Sequence, residues 1–134
     1  MTQPASPAQQ KTAVRVSLLA TCVLAAAIIN VALLLIFKAA GADFVNTVGV
    51  QVGVANVLVM TVVPLLVGFG VVAFASRRNP AFLRIGRWVG IGLALLTIVM
   101  TATVGFDRLG FIGLALMHIV VAAAIAVGLR PAKR

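Results

Sequence analysis

A chain of 134 residues that is 63% hydrophobic and only 10% charged, with a mean hydropathy of +1.20, lacks the polar residues needed to coat a water-soluble particle of its size. Its charge is as uneven: eleven Lys and Arg against two acids give +9. In so apolar a chain that excess reads as membrane orientation rather than nucleic-acid binding.

The first residues, 1–13, carry Pro4, Pro7, Ser6 and three Gln with no apolar periodicity, and are expected to form a flexible tail. Four stretches then reach the roughly 20 apolar residues that a hydrocarbon core of about 30 Å requires: about 14–37, 48–75, 83–105 and 109–129. Backbone polar groups in lipid need internal partners, and continuous apolar runs without alternation favour helices over strands. The sequence therefore predicts an all-α four-helix membrane bundle over 14–130, followed by a basic tail at 131–134. Ala25-Ala26-Ala27 after Lys11 and Arg15 imitates a signal-peptide cleavage site, but the apolar run continues to Phe37, past the usual length of a signal sequence. The first run is read as a retained anchor.

Cations alternate between the two sides. Nine of the eleven fall before the first span, around the second connection or after the fourth span, and only Lys38 and Arg108 fall on the opposite side, each in a loop that also holds an acid. The positive-inside rule then places both termini in the cytoplasm, in the inner (plasma) membrane. Arg77, Arg78, Arg84, Arg87 and Trp88 are expected at the headgroups, as topology anchors touching anionic lipid. Asn79-Pro80 is a start signal for the third helix. Asp107 is a candidate cap for the fourth, and Asp43 could pair with Arg108.

Helices in lipid associate through small residues and a few polar contacts. Gly86, Gly90, Ala94, Thr97 and Thr101 recur at spacings of three or four along the third span, and Gly49, Gly53, Asn56, Met60, Val67 and Gly70 share a direction on the second. Both stripes are read as helix-packing faces. Pro64 should bend the second helix, and the lone Cys22 is expected to pack rather than react.

The costly intramembrane groups are Asn30, Asn56 and His118, with Thr97 and Thr101 beside them. At 1.5 Å per residue, Asn30 lies about 12 Å from Lys38, Asn56 about 10 Å from Gly49, Thr97 about 12 Å from Gly105 and His118 about 14 Å from Leu109. Four helices thus contribute a polar group to one layer in the outer half of the bilayer, and the groups should face inward. The layer is read as a hydrogen-bonded cluster fixing helix register, or as a ligand or proton site around His118. One His and one Cys on distant segments do not make a metal site, and no metal or cofactor is expected. The sequence has no Glu, no acid within a span, and no nucleophile-elbow, zinc-protease or nucleotide-loop motif; catalysis is not expected.

The run Asn30 to Phe37 closed by Lys38-Ala39-Ala40-Gly41-Ala42-Asp43-Phe44, together with the Pro64 helix and His118 in the fourth span, resembles an actinobacterial family of small four-helix membrane proteins of unknown function. The preference for Arg over Lys, eight to three, fits a GC-rich genome. That resemblance implies architecture and no catalytic residues. The leading expectation is a non-enzymatic interaction or assembly protein that binds other membrane helices, with no nucleic-acid partner. The alternative is a small transport or permeation protein using the polar layer around His118.

Overall fold

A computed structural model describes residues 15–130; the expected tails at 1–13 and 131–134 lie outside the described residues. Four helices follow one another: α1 (Val16–Ala39), α2 (Val54–Ser76), α3 (Ala81–Thr103) and α4 (Arg108–Gly128). Each has 21 to 24 residues, about 32 to 36 Å of helix, and each is long and apolar enough to cross a membrane.

The helices form an up-and-down ring. α1 packs on α2 and α4, α3 packs closely on α4 and less on α2, α2 barely meets α4, and the α1 and α3 backbones stay apart. Connections 40–53 and 104–107 meet at one end, called the loop end, while 77–80 turns at the other, the arginine end. The buried face of α1 repeats at helical spacing as Leu19, Cys22, Val23, Ala26, Ala27, Asn30 and Leu34. On α2 it is Val57, Thr61, Leu65 and Phe69, four residues apart. Two apolar clusters result. One, at the arginine end, joins Leu19, Cys22, Ala26, Leu65, Phe69 and Leu129; the other, at the loop end, joins Leu34, Ala42, Phe44, Val57, Leu114 and Met117.

The remaining faces are apolar too, with Leu24, Ile28, Leu35, Val63, Leu66, Leu96 and Val99 all exposed. On a soluble protein so continuous an apolar surface would drive aggregation. Against acyl chains it costs nothing, which explains why α3 forms although Ala94 is its only buried residue.

The second helix starts later than its apolar run suggests. Residues 48–53 are not helical: Asn46 Oδ1 accepts the N–H groups of Val48 and Val50, Gly49 turns the chain at φ +81°, and Val45 bridges to Gln51. A positive φ and a side-chain-closed turn stop a helix whatever the hydropathy of its neighbours. Gly49 and Gly53 therefore stand in the loop and before the helix, not on a helical packing stripe. Pro64 does not interrupt α2, which is continuous from Val54 to Ser76; lacking an N–H, it leaves the Met60 carbonyl without its helical donor.

The third helix starts where Asn79-Pro80 indicates, with Asn79 Oδ1 accepting the Ala81 N–H at 2.9 Å. Asp107 caps α4, its Oδ2 accepting the Leu109 and Gly110 N–H groups at 3.1 and 3.0 Å. Asp43 instead accepts the Val45 N–H at 3.2 Å, and among the described residues no ion pair joins it to Arg108. The Gly110 N–H does most to hold the Asp107 carboxyl below the usual carboxylate range. Burial opposes this, while Asp43 and the Leu109 and Phe44 backbones add to it. A depressed carboxyl stabilises the folded state fully above its unfolded pKa of about 3.9 and loses that contribution as pH falls through the lower, folded value. Amide exchange at Leu109 and Gly110, expressed relative to its intrinsic rate at each pH, should therefore stay slow to about pH 4 and accelerate below it. Asp107→Ala should accelerate it at neutral pH, with a loss of about 0.5–2 kcal/mol.

Candidate functional site

Between α2, α3 and α4 lies a cavity of about 890 Å³. It exists because α2 stands away from α4 and meets α3 closely only near the arginine end. There Gly86 lies against Val72, so that a methyl group on Gly86 would collide with it. Farther along, Gly90 admits the Ile125 side chain, to which an added Cβ would come within 3.1 Å. At the loop end the Thr47 hydroxyl donates to the Val104 carbonyl at 3.0 Å, tying the first connection to the end of α3. The cavity runs between these closures, from Val104 and Phe106 to Val72 and Leu129.

Its wall is mostly apolar, with polar groups at intermediate depth. Asn30, Asn56, Thr61, Thr97, Thr101 and His118 all line it. Asn30 is 1% exposed, and its Nδ2 donates to the Thr61 hydroxyl oxygen at 2.9 Å, while its Oδ1 has no hydrogen-bond partner. His118 sits at the midpoint of α4, about 15 Å from either end. Its Nδ1 lies 2.7 Å from the Leu114 carbonyl. A carbonyl only accepts, so Nδ1 is the donor in this bond, and in the neutral tautomer that makes it Nε2 is an acceptor. Thr97 and Thr101 donate to the carbonyls of Ala94 and Thr97, at 2.6 and 2.8 Å.

Asn56 belongs elsewhere. It lies in the first turn of α2, where its Oδ1 accepts the Gly53 N–H at 3.3 Å, so it caps the helix at the cavity's loop end and is not a member of the mid-depth layer. That displacement follows from the later start of α2. Thr61 takes its place, although the sequence does not single it out: a threonine in an apolar run carries little signal, because its hydroxyl is usually satisfied by its own helix. Its separation from Asn30 across two helices at matching depth, about 10 and 13 Å from the loop end, is the signal that could have found it.

The energetics of Asn30 are informative. An interhelical hydrogen bond in lipid contributes about 0.6–2 kcal/mol, while a buried acceptor without a partner costs about 1–3 kcal/mol. The two nearly cancel. Asn30 therefore adds little to stability where a leucine would pack.

Residues 9–134, nearly the whole chain, match a single protein family. The chain belongs to DUF6069, a family of unknown function. No curated protein and no solved structure matches it. The family assignment brings no catalytic or binding residues with it, so the reading of the site rests on the geometry of this member.

The other expected positions are distributed along the bundle. Arg77, Arg78 and Arg84 are exposed and Arg87 half-buried at the arginine end, with Trp88 exposed beside them. Gly86 and Gly90 make contacts within the chain, to α2 and α4 respectively. Gly68 and Gly70 have open space where a Cβ would stand. Cys22 is a buried free thiol in the cluster at the arginine end. Among the described residues no three of His, Cys, Asp and Glu come together as a metal-binding group. Gly86→Leu should force α2 from α3, with a loss of about 1–3 kcal/mol in detergent unfolding. Because Val72 is in the same chain, that loss should not depend on protein concentration.

Proposed function

We propose that this DUF6069 member is a multi-pass protein of the inner membrane, with both termini cytoplasmic, that binds a membrane-soluble small molecule in the cavity between α2, α3 and α4 and works without a catalytic step. The observation that carries this reading is a mostly apolar cavity of about 890 Å³ whose lining includes the polar residues Thr61, Thr97, Thr101 and His118, near the upper end of the roughly 300–1,000 Å³ typical of small-molecule sites. The topology is supported by the cation distribution: Arg77, Arg78, Arg84 and Arg87 at one end, Lys38 and Arg108 at the other. A carrier or permeation role places His118 on the path. Under it, His118→Ala abolishes flux in proteoliposomes while the protein stays folded.

Assembly with other membrane helices is the second reading. Its support is the exposed face of α2 at Gly70, which has open space where a Cβ would stand and where another helix could approach the backbone closely. Gly86 and Gly90 give it less support, since both already serve contacts inside the chain.

Native mass spectrometry of protein extracted in its own membrane lipids separates the two. Cavity binding predicts a stoichiometric small-molecule adduct on a single chain that survives delipidation and weakens in Leu93→Trp, whose larger side chain obstructs the middle of the cavity. Assembly predicts oligomers or partner chains, with no adduct.

A further inference from the structure

We infer that the cavity ligand is a long, neutral, apolar molecule carrying a hydroxyl group, drawn from the surrounding bilayer. This rests on the reading of the cavity as a binding site and adds the chemistry of its occupant.

The polar groups at mid-depth decide the head group. In the neutral tautomer that donates from Nδ1 to the Leu114 carbonyl, His118 Nε2 is an acceptor. Thr97 and Thr101 spend their hydroxyl protons on backbone carbonyls of α3, so their oxygens present lone pairs. Against these stands the Thr61 hydroxyl, whose oxygen already receives the Asn30 N–H and whose own proton is a donor. A wall of several acceptors and one donor suits a group that gives a proton and receives one, as a hydroxyl does.

Charge excludes the other candidates. A cation would lack a counter-charge, since the chain's two acids, Asp43 and Asp107, are both in the loop-end connections and no span contains one. An anion would meet acceptor lone pairs in a medium of low dielectric, where unpaired charge is most costly.

Shape decides the rest. The lining extends from Phe106 at the loop end to Leu129 at the arginine end, nearly a full helix length of about 30 Å. Between the Gly86–Val72 approach and the Thr47–Val104 tie, α2 and α3 are only loosely packed, and that gap faces the acyl chains. An elongated lipid-like alcohol can enter there without crossing water.

The test uses wild-type protein in phosphatidylcholine nanodiscs with two photoactivatable probes: a sixteen-carbon alcohol carrying a chain diazirine, and its methyl ether, which has no hydroxyl proton. Labelled peptides are located by mass spectrometry, with unlabelled hexadecanol as competitor. The inference predicts saturable labelling near Met60 and Leu93 that is at least about tenfold stronger for the alcohol, equivalent to about 1.4 kcal/mol. In His118→Ala the preference should fall to about threefold or less. Equal saturable labelling of the cavity by both probes would overturn the hydroxyl assignment while leaving the binding reading intact. Failure of both probes to label the cavity saturably would overturn the binding reading and the hydroxyl assignment together.

Discussion

Phe44→Ala is expected to destabilise the bundle by about 3–5 kcal/mol, the largest loss from any single truncation outside the helices. Phe44 is fully buried although it lies in a connection, and its backbone is held at φ +54°, a left-handed conformation costing a non-glycine residue about 1–2 kcal/mol. The ring outweighs that cost because α4 provides a slot for it. A Cβ on Gly113 would come within 3.0 Å of the Phe44 ring and 3.1 Å of Phe37, and one on Gly110 within 3.6 Å of the Phe44 backbone. The aromatic ring thus closes the loop end, and the Thr47–Val104 hydrogen bond ties the same connection to α3. An unusual order of stability follows. Phe44→Gly should be less destabilised than Phe44→Ala by about 1 kcal/mol, because both lose the ring but glycine is relieved of the backbone strain. Equilibrium unfolding in mixed micelles gives both values, and hydrogen exchange should show residues 40–53 released in both variants. A Phe44→Ala loss below about 1 kcal/mol would mean that the connection does not seal the bundle.

Replacing both members of the polar pair, Asn30→Leu with Thr61→Val, is expected to leave stability within about 1 kcal/mol of the parent or raise it, while lowering ligand occupancy at least tenfold. The two halves of this expectation come from one geometry. Removing both partners takes away a hydrogen bond, but also the Asn30 oxygen that has no donor. If the pair served only to fix helix register, the double variant would lose stability or populate shifted helix contacts, and ligand retention would follow the folded fraction. Thermal unfolding and native mass spectrometry on one preparation distinguish these outcomes. Thr61→Val alone should be worse for stability than the double change, since it strands the Asn30 amide entirely.

Much of the architecture is legible in the sequence because lipid makes the rules severe. Helix number, the start at Asn79-Pro80 and the cap at Asp107 follow from apolar run length and local hydrogen bonding, both of which are properties of neighbouring residues. Where the loop end departs from expectation, the cause is local as well. Val48 to Val52 is apolar enough to join the second span, yet Asn46 and Gly49 close a turn there, so hydropathy and backbone conformation conflict and backbone conformation prevails. Moving the start of α2 to Val54 takes Gly49 and Gly53 off the helix and turns Asn56 into a cap. The Asn30–Thr61 contact was half visible: an asparagine in lipid signals itself, whereas a threonine does not. The cavity had no sequence signature. It arises from the distance between α2 and α4, which depends on how Gly86 meets Val72 and how Phe44 holds the opposite end.

The most direct test is the sidedness of the two ends of the bundle, because the depth of every polar group and the orientation of the cavity depend on it. In a Cys22→Ala background, cysteines are placed singly at Val48, 79% exposed in the first connection, and at Ala81, exposed at the start of α3. Spheroplasts are then treated with a membrane-impermeant maleimide. Val48→Cys should react in intact spheroplasts, and Ala81→Cys only after permeabilisation. Equal labelling of both before permeabilisation, or the reverse order, would contradict a four-span bundle with cytoplasmic termini.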